Sequence, residues 1–210
     1  MEELLSGVYR WELPHPEWTP EDAEGGLGWE EAVASYLVET EDGPVLVDPL
    51  VGEEHRDALD RVLDGRPPHV LITILWHTRS APAIADRYPG TVVWAHEPAA
   101  DLIRERGAEP RLFLPGGPLP GAIEAIDVGR AFEVAYFLRD RRALIVGDVL
   151  LGTPDGRARL FPPSWLLGDY DAVRTGLRAS LGRLPVDHLL LTHGAAVLDN
   201  GGAAVAEALA

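Results

Sequence analysis

VLITILWHTRSAPAIADRY, residues 70–88, is the stretch that decides the fold. Residues 70–75 form an apolar run, which reads as a strand buried on both faces. His77 stands where that strand stops. Ser80 has the chemistry of a helix N-cap, and Pro82 is tolerated in a first turn, so a helix is expected to run to Tyr88. Outward from this unit the alternation continues. Strands over 34–40 and 45–48 flank Glu41-Asp42-Gly43-Pro44 and read as a hairpin, with an earlier strand over 7–12. Residues 53–64 place Ala58, Leu59, Val62 and Leu63 on one helical face, with Gly65 as the stop. A buried strand over 91–95 follows, then a helix opened by Pro98 and closed at Gly107.

After residue 110 the β content rises. Strands are expected over 123–127, 132–138 and 143–146. A helix capped by Asp169 or Asp171 runs to Leu181, followed by a last strand over 188–192 and a short C-terminal helix. This order predicts an α/β fold, a four-layer αββα sandwich of two stacked mixed β-sheets with outer helices. Residues 1–210 read as one domain. The Pro/Gly-rich stretches 13–28, 115–121 and 152–163 read as long loops, which are often binding rims.

The composition narrows the function. Apolar residues make up 46% and charged residues 25%, which is globular. Thirty-four acidic residues against 18 basic ones give a net charge of −16. That field repels phosphate backbones and anionic lipid, so neither nucleic acid nor membrane is an expected partner. There is no cysteine, which excludes disulfides, thiolate nucleophiles and Cys-ligated zinc. All 18 basic residues are arginine, so Schiff-base chemistry on lysine is excluded as well. Scarce Asn, Gln, Cys and Met with abundant proline point to a thermophile. No run approaches the ~18 apolar residues of a membrane span. The acidic start Met1-Glu2-Glu3 is unlike a signal or transit peptide, and a cytoplasmic location is the expectation.

Three polar residues stand where apolar strands stop: His77, Asp148 and His193. Strand ends are where α/β folds aim side chains into a crevice. Two imidazoles and a carboxylate suit zinc, iron or manganese. Asp148 and His193 are also the candidate catalytic pair, with Asp148 orienting His193 as a base for water. Among the aromatics, Phe161, Trp165 and Tyr170 lie beyond Asp148, while Trp11, Trp18 and Trp29 flank the first long loop. Rings at a cleft mouth can hold an apolar ligand or pack a homodimer.

The whole chain resembles the metallo-β-lactamase fold superfamily, segment by segment and in order. YLVETEDGPVLVDPL resembles its opening hairpin, ending in a structural aspartate at Asp48. The stretch around His77 resembles its strand, histidine loop and helix. AYFLRDRRALIVGDVLLG resembles the hairpin that ends in a bridging aspartate, Asp148. HLLLTHGAAVLDNG resembles the strand that ends in the last metal histidine, His193. The family loop His-x-His-x-Asp-His reads here His77-Thr78-Arg79-Ser80-Ala81-Pro82, and a further family histidine would fall near Gly129. The resemblance thus implies that His77, Asp148 and His193 keep their metal-ligand positions and that four usual ligands are lost. Two metals are not expected. One divalent metal, zinc first, can be held jointly by the three.

Arg79 lies two residues from His77 and is expected to face the same pocket. There it would neutralise Asp148 in place of a metal and bind an anionic ligand, with Trp165 as a second ligand-binding residue. The leading expectation is a degenerate, non-catalytic site that binds a small anionic ligand. The alternative is a single-metal hydrolase acting on a small-molecule ester, thioester, lactone or phosphoester.

Overall fold

The computed structural model describes residues 1–24, 29–166 and 169–210. Seven strands build the first sheet: β1 (Glu2–Leu5), β2 (Val8–Pro14), β3 (Ala32–Thr40), β4 (Gly43–Val47), β5 (His69–Leu71), β6 (Val92–His96) and β7 (Pro110–Phe113). They lie side by side in chain order, antiparallel from β1 to β4 and parallel from β4 to β7. The second sheet holds β8 (Glu124–Asp127), β9 (Val134–Leu138), β10 (Ala143–Val146) and β13 (His188–Leu191) in the order β13-β10-β9-β8. In it β10 runs parallel to β13, and the other pairs are antiparallel. Both sheets are therefore mixed, as expected.

Period-two patterning stacks these sheets and covers them with helices. Tyr36 and Val38 of β3 meet Tyr136 and Ile145 of the second sheet in one apolar cluster between the sheets. Leu37, between them in sequence, turns the other way, onto Leu59 and Leu63 of α2 (Glu53–Leu63) and Ile84 of α3 (Ala81–Arg87). On the far side, Phe137, Leu144 and Leu189 pack against α5 (Tyr170–Ser180) and α6 (Gly201–Ala208). The result is helix, sheet, sheet, helix. Asp169 caps α5, its Oδ1 accepting from Ala172 N at 3.0 Å.

Two buried hydroxyls tie the sheets together. Tyr36 donates to Leu191 O at 2.5 Å, and Tyr136 donates to Ile72 O at 2.7 Å. Tyr36→Phe and Tyr136→Phe each strand a buried carbonyl, and each is expected to cost about 1–3 kcal/mol. Urea unfolding of the two variants measures this.

Several elements differ from expectation. The strand expected over 70–75 stops at Leu71, because the next backbone groups are taken from outside the sheet. Thr73 N donates to Asp48 Oδ1 at 2.8 Å, and Thr73 O accepts from Val134 N at 2.9 Å. Leu75–Thr78 then forms a single tight turn. Ser80 does not cap its helix; its Oγ accepts from Val51 N at 3.0 Å. The expected loop over 152–163 carries β12 (Ala158–Leu160), which pairs with β11 (Leu150–Gly152). The expected loop over 13–28 contains α1 (Pro20–Glu24), and its residues 25–28 lie outside the described residues. The helix expected from Pro98 is a short turn, Glu97–Ala99, followed by α4 (Ala100–Glu105). No helix among the described residues is long and apolar enough to cross a membrane.

Candidate metal centre

The three strand-end residues converge. His77 lies in the turn after β5, Asp148 follows β10 and His193 follows β13. His77 Nε2 lies 3.1 Å from Asp148 Oδ1, and His193 Nε2 lies 3.2 Å from the same oxygen. One ligand atom from each falls within 4.8 Å of the others, and all three residues are buried. Both nitrogens stand at ion-pair distance from the buried Asp148 Oδ1, and among the described residues no other side chain or backbone donor reaches that oxygen. Donor atoms around one tetrahedral zinc at ~2.0–2.1 Å sit roughly 3.3 Å apart, so the spacings to Asp148 Oδ1 are compatible with a shared ion.

His77 is aimed by Asp48, the residue that ends the opening hairpin, a contact the sequence reading did not foresee. Asp48 is fully buried. Its Oδ2 accepts from His77 Nδ1 at 2.8 Å and from Thr73 Oγ1 at 2.5 Å. A carboxylate on Nδ1–H leaves Nε2 free to ligate and fixes the ring's orientation. Burial and Arg79 push the His77 pKa down, but Asp48 and Asp148 outweigh them and hold it above its ordinary value. Burial lowers the His193 pKa, and its Nδ1 has no partner. Burial also opposes the charge of Asp148, yet the His77 charge draws its carboxyl well below the usual range.

Gly147 makes the close approach before Asp148 feasible. A Cβ there would sit 2.5 Å from Thr73 Oγ1 and 3.0 Å from Glu133 Oε1. Glu133 was not singled out from the sequence. Its Oε1 accepts from Asp148 N at 2.6 Å and Val149 N at 2.9 Å, which fixes the turn carrying Asp148. Burial lifts its pKa to about 7, against the pull of Arg130. Arg130 also escaped the sequence reading. It donates to Glu133 Oε2 at 2.7 Å and stands 3.7 Å from Asp148 Oδ2. Neither residue carries a local signal, because both lie in the irregular stretch before β9 and act through long-range packing.

The expected pairing of Arg79 with Asp148 does not occur. Arg79 turns inward, but its Nη1 donates to Ala34 O at 3.0 Å and Asp48 O at 2.9 Å. Two carbonyls at the strand ends are nearer to it than the carboxylate is. Among the described residues, Arg130 is the arginine that approaches Asp148 within ion-pair distance. Nε and Nη2 of Arg79 are buried and unpartnered.

A cavity of about 470 Å³ opens over the cluster, lined also by Arg79, Arg130, His15 and Trp165. Trp165 and Trp29 set their rings edge-on to His193, at 6.2 Å and 5.7 Å. His15, set aside in the sequence, lines the same cavity, and burial with Arg79 lowers its pKa to about 4. Phe161 and Trp11 serve the core instead. The donor set fits one ion with an open position, as in three-ligand zinc centres. It does not fit two: among the described residues this is the single group of such donors.

No family model matches the sequence, and no curated protein does. Solved structures do. A metallo-beta-lactamase family protein from Thermus thermophilus is 18% identical, with TM-score 0.68 over 98% of this chain and 79% of that chain. A metallo-beta-lactamase from Pontibacter korlensis is 16% identical, with TM-score 0.70 over 99% of this chain and 97% of that one. The metallo-beta-lactamase FIM-1 from Pseudomonas aeruginosa, in its mono-zinc form, is 14% identical, with TM-score 0.69 over 99% and 92%. The chain therefore has the metallo-β-lactamase fold. Within that fold its His/Asp/His cluster is of the kind that can hold a metal ion.

Proposed function

We propose that the protein is a hydrolase with a single-metal centre of the zinc type, acting on a small anionic ester, thioester, lactone or phosphoester. The observation that carries this is the convergence of His77, Asp148 and His193: two imidazole Nε2 atoms stand 3.1 and 3.2 Å from the buried Asp148 Oδ1, with one ligand atom from each residue within 4.8 Å of the others. His77, Asp148 and His193 hold the ion, and Asp48 keeps His77 in the ligating tautomer. When bound, the ion supplies a water of near-neutral pKa and polarises the scissile group. Arg79 offers its free Nε and Nη2 to the substrate's negative charge. Trp29 and Trp165 narrow the cavity around the reacting group. The mono-zinc form of FIM-1 gives a precedent for one zinc in this fold.

Calorimetric titration with zinc tests the reading. The wild type is expected to take up one equivalent, and Asp148→Asn to bind at least about 100-fold more weakly. Hydrolysis of an ester, thioester, lactone and phosphoester panel should vanish in His77→Ala. Uptake below about a tenth of an equivalent overturns the metal reading.

In that event a second reading stands, a non-catalytic protein that binds a small anion. It is favoured by Arg130 standing 3.7 Å from Asp148 beside a His77 whose proton is held, which balances the carboxylate without an ion. Phosphate binding that disappears in Arg79→Gln, without turnover, is its signature.

A further inference from the structure

A second cavity, of about 610 Å³, adjoins the one over the metal centre. The two share three wall residues: Trp76, Arg130 and Trp165. Their residue make-up differs. The first holds the His/Asp/His cluster and Arg79. The second has six apolar side chains, Ile74, Leu75, Leu102, Ala131, Phe132 and Leu166, besides the shared tryptophans, and carries Glu105 and Arg106 on its wall. Each volume lies in the ~300–1,000 Å³ range of small-ligand sites.

Arg130 builds the partition. Its Nη2 donates to Trp165 O at 3.3 Å, its Nη1 holds Glu133, and its guanidinium lies over Phe161 at 4.9 Å. The same side chain reaches toward Asp148 Oδ2. The aromatic wall and the candidate metal ligand are thus fixed by one group, so an occupant of both chambers has a defined register across the partition.

We infer that the second chamber takes the apolar tail of the substrate whose polar head lies at His77, Asp148 and His193. The substrate class is then an acyl ester or thioester of medium chain length. This assignment rests on the hydrolase reading above. An amphiphile is the occupant that suits both chambers: a wholly polar molecule leaves aliphatic walls facing water, and a wholly apolar one strands Arg79. In the reaction, water adds to the acyl carbon and the C–O or C–S bond breaks. The departing oxygen or sulfur takes a proton from the water, leaving the carboxylic acid and an alcohol or thiol, with no other reactant.

Octanoate and acetate are the probes, with binding read from tryptophan fluorescence, since Trp76 and Trp165 line the chamber. Each methylene moved from water into an apolar site tightens binding roughly fourfold, so with partial burial octanoate should bind roughly 100-fold tighter than acetate. Ala131 lines the second chamber, does not line the first, and is exposed, so Ala131→Phe fills the space without threatening the core. It should bring the octanoate-to-acetate ratio toward one, and Leu102→Asp should do the same. Equal binding of the two acids by the wild type, or a ratio untouched by both variants, overturns the tail assignment.

Turnover of p-nitrophenyl octanoate and acetate separates the two readings. Hydrolysis of both with no chain-length preference overturns the tail chamber and leaves the hydrolase standing. Tight octanoate binding with no hydrolysis of either ester supports the chamber and overturns the hydrolase.

Discussion

Asp48→Ala is expected to destabilise the protein by about 3–5 kcal/mol, because it removes one partner from a buried charge network. Asp48 is fully buried and receives three donors: Thr73 N, Thr73 Oγ1 and His77 Nδ1. Alanine leaves Thr73 N unpaired in the interior and leaves Thr73 Oγ1 and His77 Nδ1, 3.1 Å apart, only each other. Asp48→Asn separates stability from metal binding. Asparagine keeps an oxygen for Thr73 N, so less stability is lost, about 1–3 kcal/mol. Its amide is a donor, however, and makes His77 Nδ1 the acceptor. The ring's proton then moves to Nε2, the atom that faces Asp148 and would ligate. Zinc affinity should therefore fall by about 10–100-fold in Asp48→Asn at pH 7, out of proportion to the stability change. Urea unfolding and zinc calorimetry on the two variants measure the pair of effects. Wild-type zinc affinity in Asp48→Asn would show that Asp48 serves the fold alone.

The layers were legible in the sequence because they follow from short-range periodicity. The strand around Tyr36, Leu37 and Val38 was legible as an apolar run, and in the structure those residues alternate between the two clusters. The three strand-end residues were legible for a related reason, since a strand's end is read from where its apolar run stops. Exchange of backbone partners between sheets was not legible. Residues 70–75 look like one strand, yet Thr73 N pairs with Asp48 and Thr73 O with Val134. Arg79 fell between these cases. Its inward direction was expected from extended backbone over 77–79, but that stretch is a tight turn with Arg79 at φ +38°, so the turn and not the spacing directs it inward. Its partners were not legible, because the carbonyls of Ala34 and Asp48 belong to strands that only the tertiary fold brings near. Arg130 lies outside every periodic segment, and Glu133 falls in the strand expected over 132–138, which begins only at Val134, so nothing local marked the pair that holds the Asp148 turn and the Trp165 wall.

Gly194→Ala is expected to be the most damaging single methyl addition at the site. Gly194 follows His193 with φ at +78°, a conformation that costs an L-residue about 1–2 kcal/mol. Its Cβ would also lie 2.4 Å from Gly152 O, which is backbone and cannot rotate away. Gly152 N donates to His193 O at 2.8 Å, and Arg10 Nη2 donates to Gly194 O at 2.9 Å, so the segment is pinned from both sides. Relief requires moving either β11 or His193 itself. We expect a loss of roughly 4 kcal/mol or more, the range reserved for a core clash. For a chain of this length that lowers Tm by roughly 8–16 °C. Gly116→Ala supplies the control: φ is +83° there, and nothing lies within 4 Å of the new Cβ. It isolates the conformational cost, about 1–2 kcal/mol. Equal Tm shifts in the two variants would mean that the loop after β13 yields freely. His193 would then be positioned by Asp148 and the flanking tryptophans rather than by the Gly152–Gly194 backbone contact.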